Sequence, residues 1–354
     1  MKTALATLFR VSHHFTGKIP LTRSRFLVLL TLLLVAPLAQ AKEAPELPKQ
    51  VKVLTVGNSF ADDAAYLLPD LAKAGGKDLL LVRANLGGHS LDQHVGYLQA
   101  FEADANDPKG SPYNAPAFLA TPDKKKINLK AFLTSKDWTF VTIQQVSHKS
   151  YKEETYEPYA GILIDYIRKN APTAEILIQE TWAYRQDHKF FQDGTLTQEK
   201  MYEGLKAAYN KLSERYGLRI IPSGDAYQNA RQLPRWTFTF PDPNFNYTNP
   251  APDTLPDQSK SLNVGWKWDT DKTTGQKKLN LDAIHSNIYG RFLISCVWYE
   301  VIFNESVLNN PFVPPQVSPE DAALLRKIAH EAVLARYPNG PGAAKPSVAV
   351  PVAK

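Results

Sequence analysis

The sequence predicts a three-layer α/β/α sandwich built on a parallel sheet of about five strands. Apolar runs of strand length recur at residues 51–56, 79–83, 139–144, 175–179 and 219–221. Helical patterns fall between them, at residues 61–74, 154–170 and 198–216. The runs are apolar almost throughout rather than alternating, so both faces of the sheet are covered, and strands that alternate with helices build parallel βαβ units.

Residues 1–41 read as a secretion signal outside the fold. Arg23 and Arg25 precede the largely apolar run 26–38, and Ala39-Gln40-Ala41 fits a small-residue cleavage site. The mature chain is expected to begin near Lys42, in the periplasm or outside the cell. The basic stretch before Arg23 is long, which leaves an uncleaved anchor as the other reading, but the apolar run is short for a span and no stable membrane span is expected after cleavage.

The chain of 354 residues carries 41 Lys+Arg and 35 Asp+Glu. Five of the basic residues (Lys2, Arg10, Lys18, Arg23, Arg25) and none of the acidic ones precede residue 42, so the mature part has 36 minus 35, or +1. A charge that small offers no footprint for nucleic acid. The one cysteine, Cys296, excludes an internal disulfide and sits in the apolar run 292–303, where a buried helix position is expected.

The remaining segments follow in order. Residues 102–126 are rich in Asp, Pro, Asn and Lys and read as a surface loop. Residues 232–280 carry Trp236, Phe238, Phe240, Phe245, Tyr247, Trp266 and Trp268 among turn-forming residues, too aromatic for disorder and too long for a plain loop. Residues 286–307 and 319–337 read as helices, and the aperiodic Pro, Gly, Ala and Val from 338 to 354 as a disordered tail. Five parallel strands make the domain, residues 42–337, flavodoxin-like.

The first strand ends in Gly57-Asn58-Ser59 and runs into a helix, which puts one hydroxyl above the carboxyl edge of the sheet, where open α/β folds hold ligands. A capping turn would have the same sequence. A serine becomes a nucleophile only when a base takes its proton, and Asp282-Ala283-Ile284-His285 offers an imidazole with a carboxylate to orient it, expected in a turn before the next helix. Gly87-Gly88-His89-Ser90 follows the second strand and can aim a backbone N–H at a developing oxyanion; Gln144-Gln145-Val146-Ser147 ends the third and can add a side-chain donor. His89, Asp92 and His94 lack the spacing of a zinc site, and Asp62-Asp63 complement a helix start without further function. Trp182-Ala183-Tyr184-Arg185, after the fourth strand, either walls a sugar-sized pocket or packs in the core.

The ordered set Gly57-Asn58-Ser59, Gly88, the Gln-Gln-x-Ser segment and Asp282-x-x-His285 resembles the four blocks of the SGNH, or GDSL-like, hydrolase superfamily over residues 51–307, in a sub-branch without characterised members. The resemblance implies that Ser59 is the nucleophile, His285 the base and Asp282 its orienting partner, and that the amides of Ser59 and Gly88 form part of an oxyanion hole. Two departures stand out: Gly-Asn-Ser-Phe replaces the usual Gly-Asp-Ser-Leu, and Gln144-Gln145 replaces the usual Gly-x-Asn-Asp. The third oxyanion donor is then Gln145 or Gln144.

The expected activity is that of a secreted serine esterase acting on acetyl esters of carbohydrate, with no metal or cofactor. Trp182, Trp236, Trp266 and Trp268 are the expected substrate-binding residues, with at least one of the last three over the cleft. A glycan-binding protein without catalysis, or a sugar O-acyltransferase with the same triad, are the rival readings, since fold and triad alone do not separate them.

Overall fold

The computed structural model describes residues 47–343 apart from 124; the expected leader and residues 344–354 lie outside the described residues. The first half of the domain runs through β1 (Gln50–Gly57), α1 (Ser59–Ala64), α2 (Leu68–Ala74), β2 (Asp78–Asn85) and α3 (Leu91–Ala103). The two-residue strands β3 (Tyr113–Asn114) and β4 (Lys126–Ile127), α4 (Leu129–Leu133), β5 (Phe140–Ile143) and α5 (Ser147–Ser150) follow. Then come α6 (Tyr159–Asn170), β6 (Glu175–Gln179), α7 (Gln198–Tyr216), β7 (Arg219–Ile221) and α8 (Ser223–Arg231).

Five strands pair in the order β2-β1-β5-β6-β7, all parallel, with helices on both sides. This is the sheet the sequence predicts. Its cause is visible in burial: Val53, Leu54, Val141, Leu177, Ile178 and Ile220 are all shut off from solvent, so each strand has apolar side chains against both helix layers. The chain passes from β1 to β2 on one flank and then crosses to β5 on the other. That reversal opens a crevice beyond the carboxyl ends of β1 and β5, and ligands of open α/β sheets bind in such a crevice.

The single helix expected over residues 61–74 is two, α1 and α2, joined by a turn at Ala65 to Leu67. Pro69 lies in the first turn of α2, where its missing N–H costs nothing but could not continue a preceding helix.

Residues 232–280, expected as an aromatic insertion, contain most of an antiparallel hairpin, β8 (Asn263–Thr270) with β9 (Lys277–Ser286), separate from the main sheet. Trp266 pairs with Leu281 and Trp268 with Leu279. The register then breaks: Gly265 faces Asp282 and Asn263 faces Ser286, so β9 advances four residues while β8 advances two. Such a bulge bends a strand and re-aims its side chains.

After the hairpin, α9 (Ile288–Phe303) runs through the core, with 13 of its 16 residues buried; a helix apolar all round must be enclosed. Cys296 is among them, and burial pushes its thiol up. The last helix, α10 (Pro319–Arg336), packs on α8 and α9. The first residues of the tail expected from 338 dock on the domain: Pro341 O accepts from Arg219 at 3.0 Å and Gly342 N donates to Asn304 Oδ1 at 2.8 Å. Among the described residues no helix is long and apolar enough to cross a membrane.

Candidate active site

The β1–α1 junction is held from three sides by Asn58. Its Oδ1 accepts from Phe60 N at 3.0 Å and from Gln144 Nε2 at 2.6 Å, while its Nδ2 donates to His89 O at 2.9 Å. One amide thus ties the start of α1, the end of β5 and the glycine turn after β2 together, and presents Ser59 half-buried at the crevice. The tie needs Gly57: a Cβ there would stand 3.1 Å from the Gln144 side chain and 3.2 Å from Ala61 Cβ.

Asp282 and His285 lie within β9, at the bulge, and not in the turn that the sequence suggested. The bulge frees two backbone amides from the ladder, and Asp282 Oδ1 takes both, Ile284 N at 3.2 Å and His285 N at 3.0 Å. The same carboxylate reaches His285 Nδ1 at 3.1 and 3.0 Å from its two oxygens. With Nδ1–H donated to Asp282, Nε2 carries a lone pair, and Ser59 Oγ stands 2.9 Å from it. Burial pushes the Asp282 carboxyl up, but the His285 ring and the two amides outweigh it and hold it at about 2. The hydrogen bond to Asp282 in turn raises the His285 imidazole above its ordinary value, against its burial.

The bulge is anchored both from β8 and from outside the hairpin. Trp182 Nε1 donates to Ile284 O at 3.0 Å, Asn263 Nδ2 to the same oxygen at 3.1 Å, and Arg185 N to Ala283 O at 2.9 Å. Asp63 holds the far end: its Oδ2 accepts from Ser286 N at 2.8 Å and its Oδ1 from Arg291 Nε at 2.8 Å. Asp63 is buried, and burial raises its carboxyl while Arg291 and the Ser286 amide lower it. The sequence assigned it only to the helix start; its partners lie more than 200 residues away, so only the fold reveals the link.

Gly88 sits in the β-turn closed by His89 N donating to Leu86 O at 3.1 Å, with φ +72°, a conformation that disfavours any side chain. Its amide and that of Ser59 take no hydrogen bond among the described residues. The glutamines depart from expectation. Gln145 is fully buried, spends its Nε2 on Thr155 O at 2.9 Å and Thr155 Oγ1 at 3.3 Å, and takes Leu91 N and Val146 N on its Oε1. Both its N–H groups are engaged, so it cannot serve as the oxyanion donor. Gln144 serves Asn58.

The tryptophans divide. Trp182 is wholly buried, stacked on Phe60 at 4.2 Å and on Tyr227 at 5.2 Å, so it walls no pocket. Trp236 is also buried, against Tyr289 and under Arg235, and does not reach the crevice. Both were expected to bind substrate, and the packing of a large indole into available core overrides that. Trp268, half-buried, donates to Thr254 O at 2.8 Å and braces the insertion. Trp266 lines a mainly apolar cavity of about 550 Å³ with Phe240, Tyr247, Leu281 and Ile284, the last adjacent to His285. His94 takes a structural role: its Nε2 meets Gly57 O at 3.1 Å and its Nδ1 the Tyr113 hydroxyl at 2.7 Å, and burial lowers it to about 4.

A parallel α/β/α sandwich with a serine, a histidine and an aspartate in line at its carboxyl edge is the class of protein that these observations define. The chain belongs to the family described as a domain of unknown function, DUF4886, whose model matches residues 52–235 and 267–332. It is similar to the crystal structure of a DUF4886 family protein of Bacteroides uniformis, at 25% identity and a TM-score of 0.60 over 82% of this chain and 96% of that one. Looser overlays include a protein of Slackia heliotrinireducens provisionally named an SGNH hydrolase, at 16% identity and TM-score 0.41 over 71% of this chain and 98% of that one. Another is a GDSL-like lipase of Bacteroides thetaiotaomicron, at 13% and 0.36 over 75% and 93%. Overlays that loose carry nothing about activity. The family, described only as a domain of unknown function, agrees with the expectation of a branch without characterised members. No curated protein matches the chain.

Proposed function

We propose that the protein is a serine esterase in which Ser59 attacks the ester carbonyl, His285 accepts the Ser59 proton through Nε2, and Asp282 holds the imidazole in the required tautomer. The observation that carries this reading is the alignment of Ser59 Oγ, 2.9 Å from His285 Nε2, with the Asp282 carboxylate on the opposite ring nitrogen. Attack gives a tetrahedral intermediate whose oxyanion is met by the free amides of Ser59 and Gly88. Collapse expels the alcohol, which takes the proton from His285, and leaves an acyl-enzyme. Water, deprotonated by His285, then releases the acid.

The substrate is an acyl ester on carbohydrate, an acetyl ester first. The aromatic cavity of Trp266, Tyr247 and Phe240 supports this: it adjoins the catalytic hairpin and offers ring faces to a sugar. Retained Asp282-His285 geometry also suits transfer to a sugar acceptor, which the same assay separates from hydrolysis. The test is acetate release from acetylated glycans and aryl acetates by the wild type and Ser59→Ala. Loss of at least a thousandfold in the variant is expected on the scale of about 10³ to 10⁶ for a removed nucleophile; unchanged turnover would sink the mechanism.

A further inference from the structure

The aromatic cavity beside the catalytic hairpin, of about 550 Å³, carries a buried donor that the fold leaves unused. His188 lines this cavity and is only 8% exposed. Its Nδ1 accepts the Phe190 amide at 3.2 Å, which puts the hydrogen on Nε2 and makes the ring a neutral donor. Burial acts the same way and lowers the imidazole to about 4. Tyr184, 4.5 Å away between ring centres, and Phe190, perpendicular to the imidazole at 4.6 Å, cover the rest of the ring. The surface that His188 keeps is therefore at its Nε2 edge, and Nε2 is neither enclosed nor bonded to any described residue. A donor so placed needs an acceptor, and the cavity is where one reaches it.

The charges around it select the acceptor. Asp187 spends both carboxylate oxygens inside the fold, on Arg185 Nε and Nη2 at 2.8 and 2.7 Å and on Trp266 Nε1 at 3.1 Å, and its side chain has no exposed surface. Lys189, exposed at the cavity next to His188, pairs with no carboxylate among the described residues. The lining thus offers one cation and one neutral N–H donor, with no free anion. Trp266, Tyr247 and Phe240 add ring faces that suit the C–H face of a sugar. Leu281 and Ile284 line the cavity while Ser59 and His285 do not, so an occupant lies beside the reacting ester rather than on it.

We infer that the cavity binds a uronic acid residue of an acidic glycan, with its carboxylate on His188 Nε2–H and Lys189 supplying the opposite charge. This rests on the reading of the protein as a glycan esterase and deepens it: the uronate is a neighbour of the sugar that carries the ester, and its binding energy positions that ester at Ser59. His188 and Lys189 are then specificity-determining residues and take no part in bond making.

The experiment titrates the full chain with oligogalacturonate and oligoglucuronate, with the same oligosaccharides after reduction of their carboxyl groups, and with sodium acetate, by calorimetry and indole fluorescence at constant ionic strength. None of these ligands carries an ester, so binding is read without turnover: its absence would strike this inference and leave the esterase reading standing, and binding by a protein that hydrolyses no ester would do the reverse. Saturable binding of at least one acidic oligosaccharide is expected, about tenfold or more tighter than its reduced form or acetate. His188→Asn keeps an acceptor for the Phe190 amide and removes the distal N–H; it should weaken the acid about tenfold, the scale of a hydrogen bond to a charged group. Lys189→Gln alters only an exposed side chain and serves if His188→Asn does not fold. It should weaken the acid about two- to fivefold, as an exposed charge does, and leave the reduced form unchanged. No saturable binding, equal binding of acid and reduced form or of acid and acetate, or wild-type affinity in either folded variant would overturn the inference.

Discussion

Trp182 donates its indole N–H to Ile284 O at 3.0 Å, so a residue after the fourth strand of the sheet fixes the backbone next to His285. The pair lies 102 residues apart in sequence, and Phe60 stacks beneath the indole, one position after Ser59. One ring therefore touches a sequence neighbour of each half of the proposed catalytic pair.

Trp182→Phe keeps most of that stacking and removes the hydrogen bond. The expected result is a folded protein whose kcat on an aryl acetate falls about fivefold, the worth of a bond of about 1 kcal/mol, with KM little changed. Steady-state kinetics checks this, and a change confined to KM would assign Trp182 to substrate binding after all.

The pH dependence follows from the direction of two shifts. His285 must be neutral to accept the Ser59 proton, and Asp282 raises it above its ordinary value. The rate kcat/KM should accordingly rise with pH through an apparent pKa above about 6.5. Asp282→Asn removes the charge that holds the proton on, so the limb should move to lower pH while the plateau falls by about 10³ to 10⁴. A limb that stays in place in the variant would separate it from His285.

Asn58 stands where the related block carries aspartate, and its Nδ2 donates to His89 O at 2.9 Å. Asn58→Asp would set a carboxylate oxygen against that carbonyl in a buried place. A loss of about 1–3 kcal/mol of stability is expected in urea unfolding, together with reduced turnover as the Gly88 turn loosens. A variant as stable and active as the wild type would show that the tie to His89 is dispensable.

Trp266 is the indole at the aromatic cavity beside Ile284. Trp266→Ala should reduce turnover of acetylated oligosaccharide at least about tenfold while sparing a small aryl acetate, because remote binding energy is available only to the larger substrate. Equal losses on both would make the cavity scaffold.

The sheet was legible because its strands are enclosed: every position of β1, β6 and β7 is buried or half-buried, and apolar residues dominate their centres. The hairpin was not. Along β8, buried and exposed positions mix Trp, Lys, Asp and Thr, and the bulge breaks the alternation that marks a half-exposed strand. Ser59, Asp282 and His285 could be singled out because each chemistry needs its residue type. The roles of Trp182, Asp63 and Gln145 could not, because a buried tryptophan, a capping aspartate and a strand-end glutamine read alike whether they serve the core or the site.

Ser59 is met by a histidine 226 residues further along the chain, and the two are joined by no local element. During synthesis the serine therefore emerges long before anything can activate it, and no amino-terminal fragment holds a competent nucleophile. Contacts of that separation close late because of the chain entropy lost in forming the loop. Ester turnover would therefore report completion of the fold, and a molecule halted before β9 docks would keep its sheet and stay silent.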